Sequence, residues 1–180
     1  MSQGPDRAAR HLDEGERHLK AGDWEAAEAA FRRAIESDTS SHVAYSKLGV
    51  ALARQRRLGE AEQAFAKAVS LNPRYAPAWS NLGNVYRETG RLQQALEAYQ
   101  RAIAADPDYW IAHQNLGGLY KQLGRTGEAI ASLRRATKLS LRASVRPTRT
   151  GEARRVGCLG VAVVLLTVLA EVSTWLAARF

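Results

Sequence analysis

A period of 34 residues runs through most of this chain, and few folds can accept it. Gly15, Gly49, Gly83 and Gly117 are each 34 apart. So are Ala27, Ala61, Ala95 and Ala129, and so are Ala34, Ala68, Ala102 and Ala136. Between the two alanine columns stands a bulky one: Phe31, Phe65, Tyr99 and Leu133. Four columns in register across four units place repeats at 8–41, 42–75, 76–109 and 110–143. Repetition at this length is the mark of stacked supersecondary units rather than one globular core. Within each unit, apolar residues recur at i, i+3, i+4 and i+7 in two stretches, which predicts a hairpin of two amphipathic helices. The glycine and alanine columns let those helices approach closely, and the bulky column should fill the gap between neighbouring hairpins. One hairpin cannot bury its apolar face alone; three or more, stacked, make a continuous core and a superhelix with a concave face. The predicted fold class is all-α, a solenoid of helical hairpins.

The spacing places the helices. Residues 1–7 read as a short, mobile polar lead. In the first unit, His11, Glu14 and His18 stand where the third carries Trp79, Leu82 and Tyr86, so its first helix reads as a polar cap. Gly22 and Asp23 form its turn, and the second helix covers 24–37. The later pairs are expected at 43–55 with 60–71, 78–89 with 92–105, and 111–123 with 128–139 or beyond. Pro73 and Pro107, after Asn72 and Asp106, mark helix ends, because proline cannot continue the hydrogen-bond ladder. Leu141 takes that place in the fourth unit, so its last helix can run on.

The formal charge is +8, from 26 Lys and Arg against 18 Asp and Glu. Such a balance raises nucleic acid as a partner, but the excess is local. Residues 1–133 hold 17 basic against 16 acidic side chains. In 134–155, Arg134, Arg135, Lys138, Arg142, Arg146, Arg149, Arg154 and Arg155 face Glu152 alone. No nucleic-acid partner is therefore expected. The single cysteine, Cys158, excludes an internal disulfide and an all-cysteine metal site. Residues 1–10 hold no apolar run, so no secretory signal is expected. His11 and His18 would share a helix face, but no cysteine or carboxylate completes a ligand set; with His113 they read as occupants of the large-residue columns. No nucleophile elbow, phosphate loop, zinc signature or paired acidic motif is present. The expectation is no enzyme, no catalytic residue, no cofactor and no metal.

Trp79, Leu82, Gly83, Tyr86, Ala95, Tyr99, Ala102 and Pro107 stand in an order and spacing that resemble the tetratricopeptide (TPR) consensus. That resemblance implies that the first helix of each hairpin lines the concave face. It points Asp13, Lys47, Asn81 and Asn115 into a groove at equivalent positions. Asn81 and Asn115, each followed by Leu-Gly, resemble the repeats of O-GlcNAc transferase, where a ladder of asparagines grips an extended peptide backbone. An asparagine amide offers a donor and an acceptor, which match a peptide unit whatever its side chain. Only two of the four rungs here are asparagine, and no transferase catalytic region is present. Asn84, Arg54, Arg87 and Lys121 complete the candidate groove, with Lys20 beside Asp13, Glu16 and Glu88. The groove should be mildly positive and suit an acidic peptide or one that presents its C-terminal carboxylate. The Lys/Asn carboxylate clamp of chaperone-binding TPRs is not matched, since its positions hold Leu12, Glu16 and Lys47.

Residues 144–155 read as a basic linker, and 156–178 as an apolar helix. That helix would be about 34 Å long, against a hydrocarbon core of about 30 Å. Its apolarity is all round, Trp175 and Phe180 lie at the far end, and the arginines lie at the near end. This pattern resembles a C-terminal transmembrane tail anchor with the repeats in the cytosol. Glu171 opposes the reading, at a cost of roughly 2.5–3.5 kcal/mol if central and less near an interface. Gly160, Thr167, Glu171, Thr174 and Ala178 fall near one stripe, which would suit packing against a partner or a second copy. The sequence thus predicts a peptide-binding scaffold tethered to a membrane. The alternatives are a soluble adaptor whose last helix caps the repeats, in the cytoplasm, and a regulatory fragment of a glycosyltransferase-like enzyme.

Overall fold

A computed structural model describes residues 4–145. All regular structure among them is helical: α1 (Gly4–Ala21), α2 (Trp24–Ser37), α3 (His42–Arg54), α4 (Leu58–Leu71), α5 (Ala76–Glu88), α6 (Leu92–Ala105), α7 (Trp110–Gln122) and α8 (Thr126–Val145). The starts of α2, α4, α6 and α8 are 34 residues apart, as are those of α3, α5 and α7. Two boundaries differ from expectation. Helix α1 begins at Gly4, so most of the supposed polar lead is its first turn, where Pro5 costs no hydrogen bond. Helix α8 runs to Val145, so Ser144 and Val145 are helical rather than linker.

Aspartate or asparagine, more than proline, ends the second helices. Asp38, Asn72 and Asp106 are 34 apart and cap α2, α4 and α6 in extended conformation. Each side-chain oxygen accepts a backbone N–H two residues on: from Ser40 at 2.9 Å, Arg74 at 3.0 Å and Asp108 at 3.0 Å. Side chains of this type offer the backbone an alternative to the next helical turn. The fourth occupant of the column is Ser140, and there α8 continues.

The glycine and bulky columns meet inside each hairpin. A Cβ added at Gly15 would overlap the Phe31 ring; at Gly49 it would stand 2.7 Å from Phe65, at Gly83 2.6 Å from Tyr99, and at Gly117 2.7 Å from Leu133. The bulky residue therefore seats on its own hairpin's glycine, a contact beyond the expected filling of the space between hairpins. It does that as well: Phe31 and Phe65 share one buried cluster with Leu48, Leu52, Leu82 and Val85. Tyr99 joins Leu96, Leu116 and Leu119 in a second. The alanine columns are almost wholly buried, none more than 5% exposed.

Polar seams tie the units together. Glu28 of α2 accepts from Gln55 Nε2 at 2.9 Å and from Arg57 Nη1 at 2.6 Å. Arg91 makes the equivalent pair with Glu62, Nη1 to Oε1 at 3.0 Å. Arg57, Arg91 and Arg125 are one 34-residue column; Leu96 stands where Arg125 would need a glutamate, and Arg125 pairs with its own Glu128 instead. Trp79 Nε1 donates to the carbonyl of Pro73 at 2.9 Å, and His113 Nε2 reaches that of Pro107 at 3.0 Å. The histidine thus substitutes for tryptophan in its hydrogen bond as well as its volume.

Among the described residues, no helix is long and apolar enough to cross a membrane. The linker from 146 and the apolar segment 156–178, with Cys158 and Glu171, lie outside them. On α8, Ile130 is 46% and Leu133 39% exposed.

Candidate functional site

The odd-numbered helices touch one another in a row, α1 on α3, α3 on α5 and α5 on α7. Among the described residues, the even-numbered helices make no such contacts with each other. A stack whose first helices meet and whose second helices splay must curve with the first helices inside. Spacings of three and four residues put Lys47, Val50 and Arg54 on one face of α3. The same holds for Asn81, Asn84 and Arg87 on α5, and for Asn115, Gly118 and Lys121 on α7. Arg54, Asn81, Asn84 and Arg87 line one cleft of about 610 Å³ between α3 and α5, floored by Val50 and Val85. Of the residues expected in the groove, these four are brought together; Lys47, Asn115 and Lys121 do not line that cleft.

Their partners differ. Lys47 Nζ pairs with Glu16 at 2.8 Å, and this hydrogen bond holds the Glu16 carboxyl below its ordinary pKa. That pair also occupies two of the positions where a carboxylate clamp would need Lys and Asn. Asn84 Oδ1 accepts from the Tyr99 hydroxyl at 2.7 Å. Tyr99 is fully buried, and burial pushes its pKa up to about 12. Asn84 therefore braces the core while lining the cleft. Asn115 Nδ2 donates to Ser80 Oγ at 3.0 Å, a bond between the third and fourth hairpins. The Asn81 side chain makes no hydrogen bond among the described residues. The two asparagine rungs are thus equivalent in register and different in state.

The cations divide in the same way. Arg54 lies over the Trp24 ring, 5.7 Å from its centroid. Arg56, at the cleft's end, pairs with Glu88. Arg87 and Lys121 have no carboxylate partner among the described residues. On the inner face Lys47 is thus matched by a carboxylate and Arg54 lies against an aromatic ring, while Arg87 and Lys121 have neither among the described residues. The sequence reading missed the Tyr99–Asn84 and Asn115–Ser80 bonds. The first joins residues 15 apart and the second residues 35 apart, so hairpin register was the available signal. His11 sits 3.3 Å from Glu14, and His18 3.7 Å from Asp23. No group of three or more His, Cys, Asp or Glu among the described residues is placed to hold a metal ion.

Comparison with protein families matches tetratricopeptide-repeat descriptions over 12–76, 64–97 and 112–142, and a TPR-repeat description over 83–124. Comparison with the sequences of characterised proteins finds no match. Among solved structures, MamA is similar at 28% identity and a TM-score of 0.66, over 78% of this chain and 82% of that one. Pseudomonas aeruginosa pilF is similar at 23% identity and a TM-score of 0.70, over 76% of this chain and 62% of that one. The first TPR of Spaghetti (RPAP3), bound to the HSP90 peptide SRMEEVD, is similar at 23% identity and a TM-score of 0.62, over 66% and 94%. The last two likenesses concern the fold alone.

Proposed function

Residues 12–142 of this chain belong to the tetratricopeptide-repeat family, and from that premise we propose a protein-interaction scaffold that binds an extended, acidic peptide along its inner face. Tetratricopeptide repeats act in general as interaction scaffolds and not as catalysts. The observation that carries the finer reading is the unspent chemistry on the inner face. The Asn81 side chain has no hydrogen bond, and Arg87 and Lys121 no carboxylate partner, among the described residues. An unpaired amide suits a peptide backbone, and unpaired cations suit acidic side chains. The similarity of Asn81 and Asn115 to the rungs of O-GlcNAc transferase repeats supports the same reading. Asn115 would contribute through its carbonyl oxygen and its remaining N–H, since one N–H already serves Ser80. The test is Asn81→Ala with Asn115→Ala: partner binding should weaken while the melting temperature falls only slightly. A captured partner bound as tightly by the double variant would end the ladder reading.

The same scaffold is, in this reading, tethered to a membrane by 156–178, with the arginine cluster and the repeats on the cytosolic side and Glu171 facing a protein partner or a second copy. The length and all-round apolarity of that segment support it. The full chain should resist alkaline-carbonate extraction, and removal of 156–180 should release a soluble, folded repeat unit. Aggregation of that truncated chain would make the segment part of the folded unit and end the tether reading.

A further inference from the structure

Gly117 and Gly118 are neighbours in α7 and answer to different demands. At Gly117 an added Cβ would meet Leu133 at 2.7 Å and the Ala129 carbonyl at 3.3 Å, so packing requires the glycine. At Gly118 the only neighbour within 4 Å among the described residues, apart from its own helix, would be Arg87 Nη1, at 3.6 Å, an ordinary contact with the end of a flexible side chain. Packing leaves room for alanine there, and glycine inside a helix is less stable than alanine by about 0.5–1 kcal/mol. The register sharpens the contrast. The positions equivalent to Gly118 in the other units are Glu16, Val50 and Asn84, each of which puts a side chain on the inner face. Only the fourth unit leaves bare backbone there, between Asn115 one turn before and Lys121 one turn after.

Across this notch comes Arg87, from α5. Of the arginines that share its cleft, Arg56 is matched by Glu88 and Arg54 lies over the Trp24 ring; at the seams between units Arg57 is matched by Glu28 and Arg91 by Glu62. On the inner face itself, Lys47 is matched by Glu16. Arg87 and Lys121 are not matched among the described residues, and between them the face has been cut back to the main chain. A guanidinium and an ammonium flanking a gap without a carboxylate is the arrangement that an incoming carboxylate completes. A planar guanidinium accepts it with two parallel hydrogen bonds, and the ammonium adds a second charge.

We propose that Arg87 and Lys121, across the bare backbone at Gly118, form a specificity-determining seat for the side chain of one aspartate or glutamate in the bound peptide. The inference rests on the peptide-groove reading and adds a position and a direction to it. The acidic residue lies over α5 and α7; over α1 and α3, Glu16 already neutralises Lys47 and the Trp24 ring already holds Arg54. Glycine at 118 lets the peptide come close enough for a short acidic side chain to reach both cations.

The test is selection from a library of random-sequence linear peptides against the full chain in mild detergent, followed by affinity measurement on the enriched peptides at low and high salt. The expected result is an enriched family with Asp or Glu fixed at one position. Binding by Arg87→Gln, and separately by Gly118→Leu, should be roughly tenfold weaker for those peptides. Peptides with Asn or Gln substituted at that position should bind wild type and variants alike. The preference should weaken with salt, as an ion pair at a partly exposed site does. Gly118→Leu should keep or raise the melting temperature, which separates a filled seat from a damaged fold. Enriched peptides with no fixed acidic position, or with an acidic position indifferent to Gly118→Leu and Arg87→Gln, overturn the seat and leave the groove standing. No enrichment of any peptide by the folded wild type overturns the groove reading, and the seat with it.

Discussion

Gly83→Ala adds one methyl group at the tightest point of the third hairpin. The new Cβ would stand 2.6 Å from Tyr99 Cε1 and 2.7 Å from Cδ1. Ordinary carbon contacts lie at about 3.5–4.0 Å, so roughly 1 Å of movement is demanded. The ring is poorly placed to supply it: Tyr99 is fully buried, and its hydroxyl is held by Asn84 at 2.7 Å. Overpacking of this kind costs about 1–3 kcal/mol, against a helix-propensity gain of about 0.5–1 kcal/mol for replacing glycine. A net loss of about 1–2 kcal/mol follows. The control is Gly118→Ala, the same chemical change one hairpin on, where, apart from its own helix, the new methyl meets only Arg87 Nη1 among the described residues, at 3.6 Å. It should stabilise by about 0.5–1 kcal/mol. Urea titrations followed by far-ultraviolet circular dichroism would read both changes. In a Tyr99→Ala background, Gly83→Ala should lose its penalty, which isolates the pairwise clash. Shifts of the same sign for the two glycines, or a Gly83→Ala penalty that survives removal of the ring, would refute the reasoning.

Arg56 has φ 65° in a turn column otherwise occupied by Gly22, Gly90 and Gly124, all with positive φ. Arg56→Gly should raise stability by up to about 1 kcal/mol in thermal melts, because relief of the left-handed strain outweighs an exposed bridge to Glu88. Burial works against ionisation of Glu28, but hydrogen bonds from Gln55 and Arg32 and the charge of Arg57 prevail and lower its pKa. A lowered folded-state pKa contributes stability that is present above the unfolded value and lost as pH falls through the folded one. Melting temperature should thus decline below about pH 4.5, and Glu28→Gln should flatten that limb while costing about 1–2 kcal/mol at neutral pH. Tyr99→Phe should cost about 1 kcal/mol in the same urea titrations, by removing the bond to Asn84.

The 34-residue columns carried most of the fold, because each was a packing contact written once per unit. Gly15 with Phe31 and Gly83 with Tyr99 are the same contact read twice. What the columns hid was chemistry that varies between units. Lys47 and Asn81 share a register position, yet one side chain is tied to Glu16 and the other makes no hydrogen bond among the described residues. Asn115 looked like a second free rung and donates to Ser80, a residue buried at an equally periodic but unremarked position. Pro73 and Pro107 are the louder stop signals in the sequence, beside the quieter Asn72 and Asp106. The Asp38 turn, which has no proline, shows that the preceding acid or amide suffices. The N-terminal boundary was misplaced because a polar composition at 1–7 says little about helix when the first turn tolerates both charge and proline.

If the inner face binds peptide as proposed, the division of labour between seams, core and inner face predicts that binding and folding can be altered separately. The seams that hold unit to unit use Glu28, Gln55, Arg57, Glu62 and Arg91, none of which lines the inner cleft. The core contacts use glycine, alanine and bulky columns that are almost wholly buried through the first three units. On the inner face, Asn84 holds Tyr99, Asn115 holds Ser80, Lys47 pairs with Glu16 and Arg56 pairs with Glu88. Its cations at Arg87 and Lys121 are spare with respect to both seams and core. A side chain that stabilises nothing in the fold is free to be matched from outside, and its replacement removes only that match. Substitutions at Arg87 and Lys121 should therefore change affinity at constant stability, whereas a substitution at Asn84 should change both, because its oxygen serves the core while it lines the cleft.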